Sequence, residues 1–178
     1  GDLIRTVKAE PGKWNYGSGG NGSTTHLSME RIKLQAKVDI THVPYKGGGP
    51  AVTALLGGHV QLQFSTPVSS LPHVKTGKLR PLAVTGPKRS EAVPHLPTLS
   101  EAALPGYEAL TWWGLLAPAR TPREIVNKIH GDVVKVLQAP DTRERLAREG
   151  VSPAGTSPEQ FAAMIDRDIV KMGKIVKA

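Results

Sequence analysis

Residues 14–50 read WNYGSGGNGSTTHLSMERIKLQAKVDITHVPYKGGGP, and this stretch decides the fold. Residues 14–16 have the composition of a short strand, 17–23 form a polar run built on glycine, and 24–36 have helical character. Residues 40–45 return to strand composition, 46–50 to a glycine-rich loop, and 51–56 to a helix stopped by Gly57 and Gly58. A third round follows: strand 60–64, the turn Ser65-Thr66-Pro67, and a helix over 68–75 ended by Gly77. Residues 79–85 read as a fourth strand. Repeated strand-loop-helix units with short connections predict an α/β fold, a mainly parallel sheet flanked by helices.

Working outward, Leu3, Ile4 and Val7 fall at helical spacing before Pro11 and Gly12, so the chain opens in a helix. Residues 86–106 are a long proline-rich stretch with a short helix capped by Thr98 and Glu101. An extended apolar run, 107–117, comes next. Helical patterns then take over. Thr121-Pro122-Arg123-Glu124 combines a capping box with proline at the first helical position, followed by Ile125, Ile129, Val133 and Leu137 every four residues. Asp141 and Glu144 open another helix that Gly150 closes, and Ser157–Gln160 is a second capping box. Phe161, Ile165, Ile169, Met172 and Val176 line one face of the last helix. This change of pattern divides the chain into 1–114 and 115–178. The apolar faces of the terminal helices need a partner to cover, which leads us to expect a fragment whose helices either pair with another copy or lose order.

Composition narrows the chemistry. With 178 residues, 39% of them apolar, the chain can bury one core or a two-lobed unit. No run approaches the roughly 20 apolar residues of a membrane span, and the opening residues lack a signal-peptide pattern. Cysteine is absent, which removes disulfides, thiolate metal sites and cysteine nucleophiles together. The net charge of +8 is spread over both parts without a basic block interleaved with aromatics, so no nucleic-acid platform is expected. The six histidines never pair at helical spacing, which leaves no metal site. Asp166 and Asp168 read as solvated, and Trp112 and Trp113 as packing residues.

The glycine runs carry the candidate site. Gly17–Gly22 fits G-x-G-x-x-G between a strand and a helix, but the acid that would bind a ribose is missing from the end of the next strand, where Tyr45 and Lys46 stand. What survives is more general: glycines allow close approach, and a helix start offers free amides to an anion. Ser18, Gly19, Gly20, Asn21, Gly22, Ser23 and Thr24 form the first such turn, although Ser23 or Thr24 serves equally as a plain helix cap. Tyr45, Lys46, Gly47 and Gly48 form the second, with a cation at its mouth, and Ser65 and Thr66 the third. In a parallel sheet all three lie outside the carboxyl ends of the strands and share one rim. Phosphate-loop, serine-hydrolase and zincin signatures are absent from the sequence.

With these loops in place, the sequence resembles the Bug family of periplasmic solute-binding proteins, the TctC-like receptors of tripartite tricarboxylate transporters. The likeness runs in order through residues 16–23 (YGSGGNGS), 42–56 (HVPYKGGGPAVTALL), 77–85 (GKLRPLAVT), 96–107 (LPTLSEAALPGY) and 113–122 (WGLLAPARTP). It implies a type II periplasmic binding-protein fold, the Venus flytrap, with domain 2 complete in 1–114 and the C-terminal helical part of domain 1 in 115–178. It further implies a non-enzymatic periplasmic receptor without a cofactor that holds a small carboxylate, an organic acid or an amino acid, and hands it to membrane permease subunits. In that pattern the first and second loops face the ligand, and Ser65 stands where many members carry Asp, which weakens the case for an amino acid. The signal peptide and the N-terminal half are expected to precede this chain. The rival readings are an α/β enzyme holding a nucleotide or coenzyme on the Gly17–Gly22 loop, and a nucleic-acid-binding module.

Overall fold

The computed structural model describes residues 2–176, which divide into two compact units after Thr111. In the first unit, three parallel strands form a sheet in the order β2-β1-β3: β1 is Asn15–Ser18, β2 Thr41–Pro44 and β3 Leu62–Gln63. The register pairs Tyr16 with His42 on one side and with Leu62 on the other. Helices α1 (Asp2–Ala9), α2 (Thr24–Ala36), α3 (Gly48–Leu56), α4 (Pro67–Lys75) and α5 (Leu99–Ala102) complete it. The alternation expected from the glycine-punctuated sequence is therefore present, and α2, α3 and α4 all start at the rim where the strands end.

The core explains these elements. Val7 of α1, Tyr16 of β1, Met29 of α2, Ile40 just before β2 and Leu62 of β3 form one buried cluster, so α1 and α2 pack their apolar sides onto β1, β3 and the approach to β2. A second cluster joins Ala36 to Leu104, Tyr107 and Ala109. The Tyr107 hydroxyl donates to the carbonyl of Ser28 at 2.7 Å, and Arg31 lies over the Tyr107 ring while donating to the carbonyl of Glu108 at 2.6 Å. Burial pushes the Tyr107 phenol up to about 12. These contacts fold the end of the proline-rich stretch back onto α2.

Several local expectations are corrected. Residues 79–85 do not form a fourth strand: Pro81 has no amide hydrogen, and the segment makes one isolated bridge, Val84 to Thr98, while Thr85 O accepts from Ala109 N. Val84 donates to Pro97 and accepts from Leu99, so the segment pairs with the proline-rich stretch instead of extending the sheet. Gly17 and Ser18 belong to β1 rather than to the first loop, and Gly48–Pro50 to the first turn of α3 rather than to the second. The 107–117 run is not one piece, since Tyr107 and Ala109 are buried in the first unit whereas Leu115 and Leu116 are exposed. Thr98 and Glu101 do form a full capping box on α5.

The second unit holds α6 (Arg123–Gln138), α7 (Pro140–Arg148) and α8 (Pro158–Val176). Its two expected capping boxes part ways. Ser157 and Gln160 exchange both bonds, Ser157 N to Gln160 Oε1 at 3.0 Å and Gln160 N to Ser157 Oγ at 3.2 Å. Thr121 forms none, because its amide donates to the carbonyl of Pro118 and the extended Pro122 becomes the cap of α6. Trp112 packs edge-on against Phe161 and donates from Nε1 to Asp168 at 2.6 Å, so Asp168 is a hydrogen-bond acceptor and not merely solvated. Arg123 pairs with Glu159. The apolar stripe on α6 is present but open, with Ile125 and Ile129 nearly half exposed.

Candidate functional site

Because β1, β2 and β3 are parallel neighbours, the turns after them meet at one rim. Two backbone bonds tie the first turn to the second: Tyr45 N donates to Ser18 O and Gly47 N donates to Gly19 O, both at 3.1 Å. A side-chain carbon on Gly19 would stand 3.6 Å from the carbonyl carbon of Gly47 and 3.7 Å from the amide of Gly48. One on Gly20 would meet the carbonyl oxygen of Tyr45 at 3.3 Å, and Gly20 adopts φ +130°, a conformation that L side chains rarely take. At position 20 glycine is what lets the turns meet, whereas at position 19 a side-chain carbon would sit in ordinary van der Waals contact with the second turn. The third turn reaches the second through Ser69, whose Oγ lies 3.3 Å from the place a side chain on Gly48 would occupy.

The hydroxyls expected to hold a ligand are already engaged. Ser18 is completely buried; its Oγ lies 2.6 Å from His42 Nε2 and accepts from Gly20 N at 3.1 Å. Ser23 is the N-cap of α2, accepting from His26 N and donating to the carbonyl of Gly20. Thr24 Oγ1 accepts from Thr111, and Ser65 and Thr66 both share hydrogen bonds with Ser69. These side chains shape the rim. Its spare donors are instead backbone amides in first helical turns, those of Thr24 and Thr25 on α2, Gly48 and Gly49 on α3, and Val68 on α4, none of which has an intrahelical acceptor. Pro50 and Pro67 contribute no amide. Asn21, Gly22, Thr24 and Lys46 are exposed at the rim, while Gly19, Gly20, Ser23, Tyr45, Gly47, Gly48, Ser65 and Thr66 are half-buried.

The rim is polarised in one sense. Three helix N-termini converge, the turns 19–23, 45–47 and 64–66 contain no carboxylate, and Lys46 supplies a cation. Such an arrangement attracts an anion. The close Ser18–His42 pair does not make a nucleophile, because a completely buried hydroxyl is closed to a substrate carbonyl.

Beneath the first turn lies a group that the sequence pattern did not reveal. The rings of His26 and His42 stack at 3.9 Å, and His42 stacks in turn on Tyr16 at 4.8 Å. Tyr16 donates to Glu30 Oε1 at 2.6 Å, and Lys33 donates to the same oxygen at 2.9 Å. Burial drives the Tyr16 phenol far above its ordinary range, and the bond to Glu30 adds to this. Burial by itself would raise the Glu30 carboxyl, yet the bonds from Tyr16 and Lys33 hold it below the usual range. His42 is pushed below the ordinary histidine value by burial and then by the neighbouring His26. Thr25 and Ser69 were also missed; Thr25 Oγ1 accepts from the amide of Gly19 at 3.0 Å. No spacing in the sequence signals the histidine pair; the structure brings it together, with the register setting His42 beside Tyr16.

Residues 1–178 match the family described as tripartite tricarboxylate transporter family receptor. Among curated relatives, a UPF0065 protein from the tcbD-tcbE intergenic region of a Pseudomonas species is 35% identical over 175 residues, covering 98% of this chain and 52% of that protein. An R. palustris protein solved with adipate superposes with a TM-score of 0.93 at 38% identity, covering 99% of this chain and 59% of the other. MatC from Rhodopseudomonas palustris, solved with bound malate, gives 0.84 at 32% identity, covering 98% and 60%. This chain thus spans about half the length of the curated relative, and it has the α/β fold of periplasmic binding proteins.

Proposed function

We propose, because this chain belongs to the family of tripartite tricarboxylate transporter receptors, that its strand-end rim is the carboxylate-gripping part of a periplasmic solute receptor. The observation that carries this reading is the contact of the two glycine turns, which gathers the first-turn amides of α2 and α3 beside Lys46. A carboxylate seated there accepts charge-assisted hydrogen bonds worth about 1.5–3 kcal/mol each, in a setting free of competing negative charge. Lys46 steers the anion inward. Backbone donors recognise the carboxylate group, whereas the remainder of the solute is selected elsewhere in the protein.

The solute class is a small organic acid. The R. palustris neighbour solved with adipate and MatC solved with malate both hold dicarboxylates, which supports extending that class to this chain. An amino acid would bring an ammonium group to a rim without a carboxylate, so we place amino acids second. In the full-length protein, unit one would be the lobe that carries these loops, the helical unit would belong to the other lobe, and the loaded receptor would deliver its solute to membrane permease subunits. The Ser18–His42 pair, closed to substrate, favours a receptor over a hydrolase.

Calorimetric titration of the full-length protein with adipate, malate and a neutral diamide tests the reading. Binding of at least one diacid, abolished by Gly19→Val and absent for the diamide, is expected. Diacid binding that Gly19→Val leaves intact would overturn it.

A further inference from the structure

The histidine pair beneath the first turn holds both of its ends. Gly22 N donates to His26 Nδ1 at 3.1 Å, which requires a lone pair on Nδ1 and places the proton of the neutral ring on Nε2. At the other end, His42 Nε2 meets Ser18 Oγ, and that same oxygen accepts from Gly20 N. The two rings stack face to face at 3.9 Å, so a charge on one disfavours a charge on the other. The first turn, residues 19–23, thus hangs from two imidazoles contributed by different elements, that of α2 directly at Gly22 and that of β2 through Ser18.

We propose that His26 and His42 are positioning residues for the anion-binding turn, and that a proton taken up at His26 Nδ1 releases its Gly22 end. The step balances simply: the solvent proton occupies the lone pair that accepted from Gly22, two donors then face each other, and the Gly22 amide turns to water. The charged and titratable groups facing the pair decide which ring takes that proton. Glu30 Oε1 lies 3.9 Å from His26 Nε2 and places a negative charge beside that ring. Lys33, bound to the same carboxylate, partly offsets it, and Tyr16 from β1 stacks on His42 and donates to Glu30. His42, held below its ordinary range by burial and by the neighbouring His26, keeps its neutral form and its hold on Ser18. The first turn is therefore fixed at Gly20 and proton-sensitive at Gly22. Because Gly22 directly precedes the cap of α2, its release disturbs the amides of Thr24 and Thr25.

This coupling rests on the proposed carboxylate function only in its consequence for binding, and two measurements keep the two apart. In the 178-residue chain, the Gly22 amide resonance should titrate with the His26 ring. In His26→Asn, which keeps an acceptor where Nδ1 stands but takes up no proton, it should not. A Gly22 amide that stays fixed through the His26 titration, or that titrates unchanged in His26→Asn, overturns the proposal. In the full-length protein, adipate affinity should weaken about fivefold on acidification through the histidine range, the worth of one hydrogen bond. His26→Asn should show only the change due to the diacid's own protonation. Identical pH profiles for wild type and His26→Asn overturn the link to binding. Absence of both adipate and malate binding at every pH would refute the diacid reading, and the Gly22 amide would still decide the coupling.

Discussion

The amide of Gly47 donates to the carbonyl of Gly19 across 3.1 Å and, with the bond from Tyr45 N to Ser18 O, joins two turns that lie 28 residues apart in sequence (47 − 19). It brings the start of α3 beside the turn that leads into α2, so that two sets of unpaired amides act on one volume. The consequences can be tested residue by residue.

Gly19 and Gly20 should respond differently to alanine. A methyl on Gly19 meets its neighbours at ordinary contact distance, so Gly19→Ala should change stability by less than about 0.5 kcal/mol. Gly20→Ala forces an L residue to φ +130° and brings its methyl to 3.3 Å from Tyr45 O, and should cost about 1–3 kcal/mol. Urea denaturation of both variants decides this; equal effects would contradict the geometry.

Tyr107→Phe removes the buried hydroxyl that donates to Ser28 O, leaving that carbonyl only its bond within α2. The expected cost is about 1–2 kcal/mol, read as a lower denaturation midpoint at unchanged slope. No loss would mean that water replaces the hydroxyl and that the proline-rich stretch is held by its apolar contacts alone.

Stability should fall on mild acidification. His42 has a folded-state value below its unfolded one, so between the two the unfolded chain binds more protons and stability drops as pH falls below about 6.5. Glu30, also depressed, adds a second loss at more acid pH, below the ordinary carboxylate range. Denaturation midpoints across this range should show the first loss in the wild type and less of it in His42→Gln. A flat profile above the carboxylate range would contradict the depressed folded-state value of the half-buried His42.

The two threonine and serine boxes of the helical unit offer a matched pair. Ser157→Ala should cost about 1 kcal/mol of stability because both reciprocal bonds are present, whereas Thr121→Ala should change it by less than about 0.5 kcal/mol. Calorimetric melting of the two variants distinguishes them, and a comparable loss for Thr121→Ala would show a cap that the structure lacks.

These contrasts mark what a single sequence can and cannot carry. The alternation of strands and helices was legible because glycine runs punctuate it, and the convergence of the turns follows from parallel strands. The boxes at Thr121 and Ser157 look alike locally, yet the Thr121 amide is taken by Pro118, a tertiary choice that the motif does not contain. Residues 79–85 have strand composition, but Pro81 and the partner at Thr98 redirect them. In the site, glycines point to their role because only backbone geometry constrains them. The hydroxyls do not: Ser18 reads as a ligand donor, and only its burial against His42 shows that it supports the turn from beneath. His26 of α2 and His42 of β2, separated by 16 positions (42 − 26), meet only when the helix packs beside the sheet, which no local spacing encodes.

The central claim is that an organic acid is held by backbone amides at the meeting of these turns. Amide chemical-shift mapping of the isotopically labelled full-length protein during an adipate titration tests it most directly. The account predicts that the saturating shifts gather at Gly19–Thr25, Gly47–Gly49 and Val68, with the amides of Gly48 and Thr24 moving furthest. Saturable binding whose shifts leave both glycine turns untouched would contradict it.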